Sequence, residues 1–253
     1  MIRRPLLCLL CLVCAAPVLA QRLPGARSLS DTPWGYAIVR DPVRAGHEAQ
    51  RFELRAGDCA ANGGGDDCTR DRERSEFRPD AEWVPGSEMW VGFSLLLPGG
   101  FPVSDRVNTT VMQIHQRGGP ARPGVGGQTA RPPVMQIEAR GAVLRLTVHV
   151  PDGPNIHRDL APLAALEGAW HDIVVGFDSG APSLEIWIDG EQRAQVAGWN
   201  APAPEVYFLK YGLYRAFVSR HGGPMDTQVA WFDEVRLGPS RDAVFPDIAH
   251  PVD

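Results

Sequence analysis

The chain has 253 residues, with 25 lysines and arginines against 30 aspartates and glutamates, a formal net charge of −5. This acidic balance excludes a bulk attraction to nucleic acid or anionic lipid, so an acidic ligand must meet a local cluster of basic side chains. The length fits one large domain or two small ones.

The first twenty residues have the pattern of a secretory signal peptide. Arg3 and Arg4 form a basic start, an apolar run extends from Leu6 to Ala16, and small residues precede position 21. The apolar run is too short for a membrane span. We therefore predict a signal peptide over residues 1–20, one domain over residues 21–253, and a secreted or periplasmic protein without membrane contact after cleavage.

Short apolar runs recur along the rest of the chain and predict β-strands. They are Tyr36–Arg40, Arg51–Arg55, Met89–Leu97, Thr110–Gln116, Val134–Ala139, Val143–Val150, His171–Phe177, Leu184–Ile188, Arg193–Val196, Val206–Tyr214 and Val229–Leu237. Asp189-Gly190 is the clearest signal for a two-residue hairpin. Only Leu160–Leu166 could form a helical turn. The pattern predicts a β-sandwich or a barrel.

Two cysteines remain after the predicted signal peptide, Cys59 and Cys68, in a glycine-rich stretch. In an exported protein this spacing predicts a disulfide bond, with two free thiols as the alternative.

The stretch Arg117–Pro133 separates two predicted strands and is rich in glycine and proline. A connection of this length is typical of a functional flap or of a flexible loop, and we interpret it as a mobile flap.

The segment Tyr207–Arg215 (YFLKYGLYR) holds three of the four tyrosines and the single lysine, whereas the other 24 basic residues are arginines. Because side chains alternate along a strand, Lys210 and Tyr214 share one face, with Gly212 between them. A glycine inside a strand often marks the close approach of a ligand. Since a neighbouring cation lowers the pKa of a phenol, we expect Tyr214 to act as a general acid or base.

Two further strands present ordered polar faces. In VMQIHQ, Gln113 and His115 point to one side. In RERSEFR, the residues that share a face are Arg72, Arg74, Glu76 and Arg78. Each pattern alone is typical of a solvated strand face. Together they indicate an anion site that also contains an amide, an imidazole and a phenol.

The segments RSEFR (Arg74–Arg78), QIH (Gln113–His115) and YFLKYGLYR together resemble the three signature strands of β-jelly-roll polysaccharide lyases, in the same order. The stretch DDCTRDRERSEF and the ending KYGLYR are most similar to the heparin-lyase-like and glucuronan-lyase-like branch. The resemblance covers about Tyr36 to Leu237. It implies a concanavalin-like β-jelly-roll sandwich of two antiparallel sheets, and β-elimination on an anionic, uronic-acid-containing polysaccharide.

The resemblance also implies roles for four catalytic residues. Gln113 and Arg74 would hold the C5 carboxylate of the substrate, and His115 would act as the base or neutralise that carboxylate. Tyr214 would be the acid, and in a syn elimination both base and acid. Stabilising the charge that develops on the carboxylate is the main demand of this chemistry.

Three basic residues complete the implied substrate-binding set: Lys210, Arg78 and Arg215. Glu76 would orient an arginine. The third signature strand departs from the alginate-lyase pattern by one extra residue and by Tyr211 in place of alanine, which leaves the polymer undetermined. No acidic cluster has the spacing of a calcium loop, so we expect no metal and no cofactor, and we expect a monomer.

Two other functions fit the same pattern. WHDIVVGFDSGAPSLEIWIDGE resembles the strand–hairpin of concanavalin-like sandwiches, many of which are lectins, so a non-catalytic carbohydrate-binding module is one alternative. The other is a glycoside hydrolase, which needs two carboxylates across the scissile bond. Glu185 and Asp189 share a strand face, but their spacing is unsuitable for that role.

Overall fold

The computed structural model describes residues 22–28, 31–62, 65–123 and 129–246. The predicted signal peptide, residues 1–20, lies outside the described residues.

Strands form most of the regular structure in this part of the chain. The nineteen strands are β1 (Gly25–Ser28), β2 (Tyr36–Arg40), β3 (Glu48–Leu54), β4 (Ala61–Asn62), β5 (Gly65–Asp66), β6 (Arg72–Pro79), β7 (Glu82–Trp83), β8 (Glu88–Leu96), β9 (Asn108–Arg117), β10 (Arg122–Pro123), β11 (Thr129–Ala130), β12 (Met135–Arg140), β13 (Val143–Val148), β14 (Ile156–Pro162), β15 (Trp170–Asp178), β16 (Ser183–Ile188), β17 (Glu191–Ala197), β18 (Val206–Ala216) and β19 (Gln228–Gly238). Helical structure among the described residues is limited to α1 (Arg241–Val244) and two 3-10 turns, Leu163–Ala165 and Val218–His221.

Two large antiparallel sheets form the body of the molecule. The first sheet has the order β1-β6-β18-β9-β12-β13-β14, with β7 also paired to β18. The second sheet has the order β17-β16-β15-β8-β19-β3-β2. This arrangement confirms the predicted all-β jelly-roll sandwich. The three segments that carry the signature motifs, β6, β18 and β9, are neighbours in the first sheet although they are far apart in the chain.

Aromatic rings join the inner faces of the two sheets. Phe52 lies 5.7 Å from Tyr211, and Phe177 lies 5.2 Å from Tyr207, measured between ring centroids. Leu209 of β18 is fully buried in the same core. Removing such a side chain from water contributes roughly 1.5–3 kcal/mol. Because the inner face of the first sheet is apolar, the polar residues of this sheet lie on its outer face.

Each of the eleven predicted runs matches a strand, and four of them extend one or two residues beyond it. At the predicted hairpin, Asp189 and Gly190 both have positive φ, 51° and 76°, as the tightest two-residue turn requires. The helical prediction for Leu160–Leu166 is wrong over its first half, because β14 continues to Pro162. β14 is an edge strand with mostly exposed side chains, so no apolar alternation marks it in the sequence.

The predicted disulfide is confirmed. Cys59 and Cys68 are bonded, with 5.1 Å between their Cα atoms. The bond closes the loop that leads from β3 into β6.

The connection between β9 and β12, predicted as a flap, contains a short hairpin of β10 and β11. Its base is attached to β9, because Gln116 Nε2 donates to the Pro132 carbonyl at 2.8 Å. The two arms of the connection are joined by Arg131 Nε, which donates to the Gly119 carbonyl at 2.9 Å. Its tip, residues 124–128, lies outside the described residues.

Candidate active site

The register of three neighbouring strands brings the signature motifs onto one surface. On one side of β18, Tyr214 is opposite Arg74 of β6, and on the other side Lys210 is opposite Gln113 of β9. Opposed residues in adjacent strands point to the same face of a sheet. We call the outer surface formed by Arg74, Glu76, Gln113, His115, Lys210 and Tyr214 the polar face.

Arg74 is the most constrained cation of the polar face. Its Nε and Nη2 donate to the two carboxylate oxygens of Asp67 at 2.7 and 3.0 Å, and its Nη1 donates to Glu76 at 2.6 Å. Burial alone would lower the pKa of Arg74, but the carboxylates of Glu76 and Asp67 outweigh burial and raise it. The guanidinium carbon lies 4.2 Å above the ring of Tyr214. Arg74 therefore presents a fixed positive charge to the phenol.

Glu76 holds two other residues of the polar face in place. Its carboxylate accepts from Arg74 Nη1 at 2.6 Å and from Gln113 Nε2 at 2.5 Å. Glu76 is 2% exposed and Gln113 is 1% exposed, so both contacts are made away from bulk water. A carboxylate in this position orients its donors, consistent with the role that the resemblance implies for it.

His115 is an uncharged imidazole in this site. Its ring stacks on Phe208, with centroids 5.2 Å apart and planes at 21°. Burial, followed by the positive charge of Lys210, lowers the pKa of His115 to about 3. The Nδ1 atom lies 2.8 Å from the backbone nitrogen of Gln116 and 3.0 Å from its carbonyl oxygen.

Lys210 is a buried ammonium group without a salt bridge among the described residues. It is 9% exposed, and the nearby carboxylates of Asp67 and Glu76 are paired with Arg74 instead. Burial and the charge of Arg74 lower the pKa of Lys210 to about 8. The site therefore contains one cation whose charge is lost at moderately alkaline pH.

The expected lowering of the Tyr214 pKa is wrong. Burial of the phenol raises its pKa, and the opposing effects of Arg74 and Arg72 are smaller. A half-buried phenol without a formal charge is easier to accommodate than a phenolate, even beside cations. Tyr214 is therefore protonated at neutral pH.

Gly212 is required by the packing of the protein itself. The pairing of β18 with β9 shifts between Tyr211 and Tyr214, which forms a bulge. At Gly212 φ is 126°, and an added Cβ would lie 2.4 Å from the carbonyl oxygen of Ser75 and 2.8 Å from Phe52. We expected Gly212 to mark the close approach of a ligand, but the groups that approach it closely are the β6 backbone and the ring of Phe52.

The other two tyrosines of the segment belong to the core. The Tyr211 hydroxyl donates to Gln50 at 2.7 Å and the Tyr207 hydroxyl donates to the Pro202 carbonyl at 2.5 Å. Burial raises the pKa of both phenols. Tyr214 is therefore the tyrosine of this segment that faces outward.

Arg215 does not join the other predicted site residues. It is fully buried, donates to the carbonyls of Leu54 at 2.6 Å and Asp226 at 3.2 Å, and pairs with Glu73 at 3.2 Å. Strand alternation places it on the side opposite Tyr214. We therefore correct its predicted role in substrate binding to a structural one.

Arg78 lies at the margin of the polar face. Its guanidinium carbon is 4.4 Å above the Phe208 ring, and it forms a salt bridge with Glu82, which also accepts from Arg117 at 2.8 Å. Its side chain is 37% exposed, so it remains accessible to a ligand.

The sequence reasoning missed several residues on or behind this surface. Asp67, which fixes Arg74, precedes the disulfide cysteine Cys68 by one residue. Gln136 of β12 is opposite Gln113, and it contacts His149, which follows β13. Alternation with the buried Val148 could have placed His149 on the outer face, whereas no sequence signal points to Asp67.

Among the described residues, no group of three or more histidine, cysteine, aspartate or glutamate side chains is arranged to hold a metal ion. No helix in the same part of the chain is long and apolar enough to span a membrane.

Comparison with known families gives one assignment. The family model described as polysaccharide lyase matches residues 21–236. No curated protein sequence matches the chain.

Several solved structures share the fold. The endo-β-1,4-glucuronan lyase of the fungus Trichoderma reesei superimposes with a TM-score of 0.65 at 20% identity, over 88% of this chain and 93% of that one. The family 7 alginate lyase A1-II′ gives a TM-score of 0.56 at 16% identity, over 83% and 85%. The alginate lyase AlyA1 of Zobellia galactanivorans gives 0.53 at 13% identity, over 83% and 82%. At these identities the likeness concerns the fold.

Proposed function

The chain belongs to the polysaccharide lyase family, and on that premise we propose that it cleaves a uronic-acid-containing polysaccharide by β-elimination on the polar face. The observation that carries the proposal is the register of β6, β18 and β9. This register collects two cations, a fixed amide, a neutral imidazole and a protonated phenol on one surface. Glucuronan and alginate, the polymers named for the structural relatives, are the first substrates to test.

The first chemical requirement is to neutralise the substrate carboxylate, because its negative charge makes the proton on C5 poorly acidic. A guanidinium has five N–H donors, and Asp67 and Glu76 use three of those of Arg74. The remaining donors of Arg74 and the second amide hydrogen of Gln113 are available to the carboxylate. We assign these two residues to carboxylate binding.

His115 is better suited to donate a hydrogen bond than to remove a proton. The Gln116 backbone N–H is closer to Nδ1 than the carbonyl oxygen is, at 2.8 against 3.0 Å. Accepting that N–H keeps Nδ1 unprotonated, so the neutral ring carries its proton on Nε2. We propose that Nε2–H donates to the substrate carboxylate.

Removal of the C5 proton then falls to Tyr214, in a syn elimination. The phenolate form of Tyr214 takes the C5 proton. Arg74 and Arg72 favour this form, although burial, which raises the pKa of the phenol, has the larger effect. The electron pair of the broken C–H bond forms the C4–C5 double bond and expels the O4 leaving group. The same phenol then returns its proton to O4. Lys210, and Arg78 at the margin, supply positive charge for the polymer.

The test is ultraviolet absorbance over time with a panel of polyuronides, since elimination leaves a double bond conjugated to the carboxylate and hydrolysis does not. We expect Tyr214→Phe to reduce the rate by at least about a hundredfold, because it removes the group that transfers both protons. Tyr211→Phe is the matched control. It lies in the same strand, faces the core, and should keep its activity while losing about 1 kcal/mol of stability.

A flat trace for the wild type across the panel would reject the proposal. If reducing ends appear without absorbance, the chemistry is hydrolysis instead. Retention of a polymer without either product would indicate a binding role.

We also propose that the chain is exported as a single domain and acts as a monomer. The family match begins at residue 21, directly after the predicted signal peptide, and the disulfide fits an oxidising compartment. The intact mass of the exported protein should correspond to loss of residues 1–20, and a mass that retains them would contradict this.

A further inference from the structure

A cationic group outside the proposed catalytic set lies on the hairpin between β9 and β12. Arg122 belongs to β10 and is half-buried. Its Nη2 atom is buried and has no hydrogen-bond partner among the described residues. A buried N–H that has lost water and gained no acceptor is costly, so it is uncommon in native proteins. An anionic ligand would satisfy it.

His149 supplies a second polar group, and it is near enough to Arg122 for the positive charge of that residue to lower the pKa of the imidazole. The preceding residue, Val148, is buried in the core, so alternation points His149 to the outer surface. Its Nε2 lies 2.7 Å from Gln136 Oε1, while the amide nitrogen of Gln136 donates to Thr110 Oγ1 at 2.7 Å. Because an amide oxygen only accepts, Nε2 carries the proton and Nδ1 is left as an acceptor.

The imidazole of His149 is neutral under ordinary conditions. Burial, and after it the charge of Arg122, lowers the pKa of His149 to about 4. The pair therefore combines one cation, which suits a carboxylate, with one neutral acceptor, which suits a hydroxyl group. A uronate sugar carries both of these groups.

The pair continues the polar face across the strands. Gln136, which holds His149, is directly opposite Gln113, one strand spacing of about 4.8 Å away. A linear polysaccharide lying across β18, β9 and β12 would thus reach Arg122 with a sugar beyond the one held by Gln113.

We propose that Arg122 and His149 form a second uronate-binding subsite. In it the guanidinium binds the carboxylate of a further sugar, and His149 Nδ1 accepts a hydrogen bond from a hydroxyl group of that sugar. The inference rests on the proposed function and narrows its substrate class. A polymer with uronate at successive positions would satisfy the subsite, whereas a neutral sugar there would leave Arg122 without an acceptor.

The test measures binding by calorimetry in the full-length Tyr214→Phe protein, so that no substrate is consumed. The probes are hexasaccharides of β-1,4-linked glucuronate and of β-1,4-linked mannuronate, together with the corresponding monosaccharides, glucuronate and mannuronate. Adding Arg122→Gln should weaken hexasaccharide binding about tenfold, because a charge-assisted contact is lost. A single uronate bound at Gln113 does not extend to the subsite and should show no such difference.

Arg131→Gln is the matched control, because it removes the same charge from the base of the same hairpin, where Nε is bonded to the Gly119 carbonyl. It should leave hexasaccharide affinity within about twofold. Arg122→Lys keeps the charge and should retain most of the affinity. A loss with lysine as large as with glutamine would mean that the hairpin, and not its charge, is responsible, and would overturn the subsite.

Unchanged hexasaccharide affinity in Arg122→Gln, in a protein whose wild type produces the absorbance, would overturn the subsite alone. Absence of binding by every probe, together with a flat absorbance trace for the wild type, would overturn the proposed function and the subsite with it.

Discussion

Lys210 shows how one residue can set the pH range of the proposed reaction. It is the single lysine of the chain and is buried on the polar face, and its pKa is lowered to about 8. Arginine would keep its charge far above that pH. A lysine at this position therefore makes the charge of the site depend on pH.

The pH profile of kcat/KM tests this dependence, since it reports the ionisation of the free enzyme. The active form needs the Tyr214 phenolate and the Lys210 ammonium. Below pH 8 the ammonium is present and the phenolate fraction grows, so kcat/KM should rise about tenfold per pH unit. Above about pH 8, loss of the ammonium offsets the gain in phenolate, and the profile should level.

Lys210→Arg is the informative variant for this profile. Because the guanidinium stays charged, kcat/KM should continue to rise through the pH at which the wild type levels. A wild-type profile that is flat below pH 8 would contradict the phenolate mechanism. It would indicate that Tyr214 acts only as the acid and that His115 is the base.

The residue-level predictions from sequence succeeded or failed for identifiable reasons. Alternation placed Lys210 and Tyr214 together, and the same alternation, applied to the next residue, would have placed Arg215 on the other side. The pKa of Tyr214 was predicted in the wrong direction because neighbouring charges are visible in a sequence and burial is not. Asp67 was missed because a loop, which has no period, brings it to Arg74.

At the scale of elements, period-two patterns identified the strands of the two sheets that have one apolar face. β14 was missed because its edge position leaves most of its side chains in water. The sequence also did not predict the bulge in β18, although Gly212 lies at the position of that bulge. Its cause is contact with Ser75 and Phe52, which come from other strands.

The disulfide loop and β6 act as one element of the site. Cys68 is adjacent to Asp67, and the Asp67 backbone is fixed on both sides, since its N–H donates to the Ala60 carbonyl at 3.0 Å and its carbonyl accepts from Arg72 at 2.9 Å. A carboxylate held in this way can orient Arg74 without moving toward solvent. The predicted disulfide therefore supports the cation of the polar face.

At the scale of the whole molecule, the second sheet supports the first sheet without contributing to the polar face. Phe52 of β3 contacts the rings of Tyr36, Tyr211 and Phe232, at centroid distances of 5.1, 5.7 and 5.3 Å. The same ring also limits the space at Gly212. The position of β18, and with it the placement of Tyr214, depends on a fully buried core residue.

Phe52→Ala tests this dependence. Removing a fully buried aromatic ring leaves a cavity between the sheets, and we expect a loss of about 4 kcal/mol in the free energy of unfolding. Denaturant unfolding measures it, with Val84→Ala as the control. Val84 is 61% exposed, so its truncation should change stability by less than about 0.5 kcal/mol. A loss for Phe52→Ala as small as that of the control would mean that the aromatic cluster does not hold the two sheets together. It would also mean that Phe52 does not fix the position of β18.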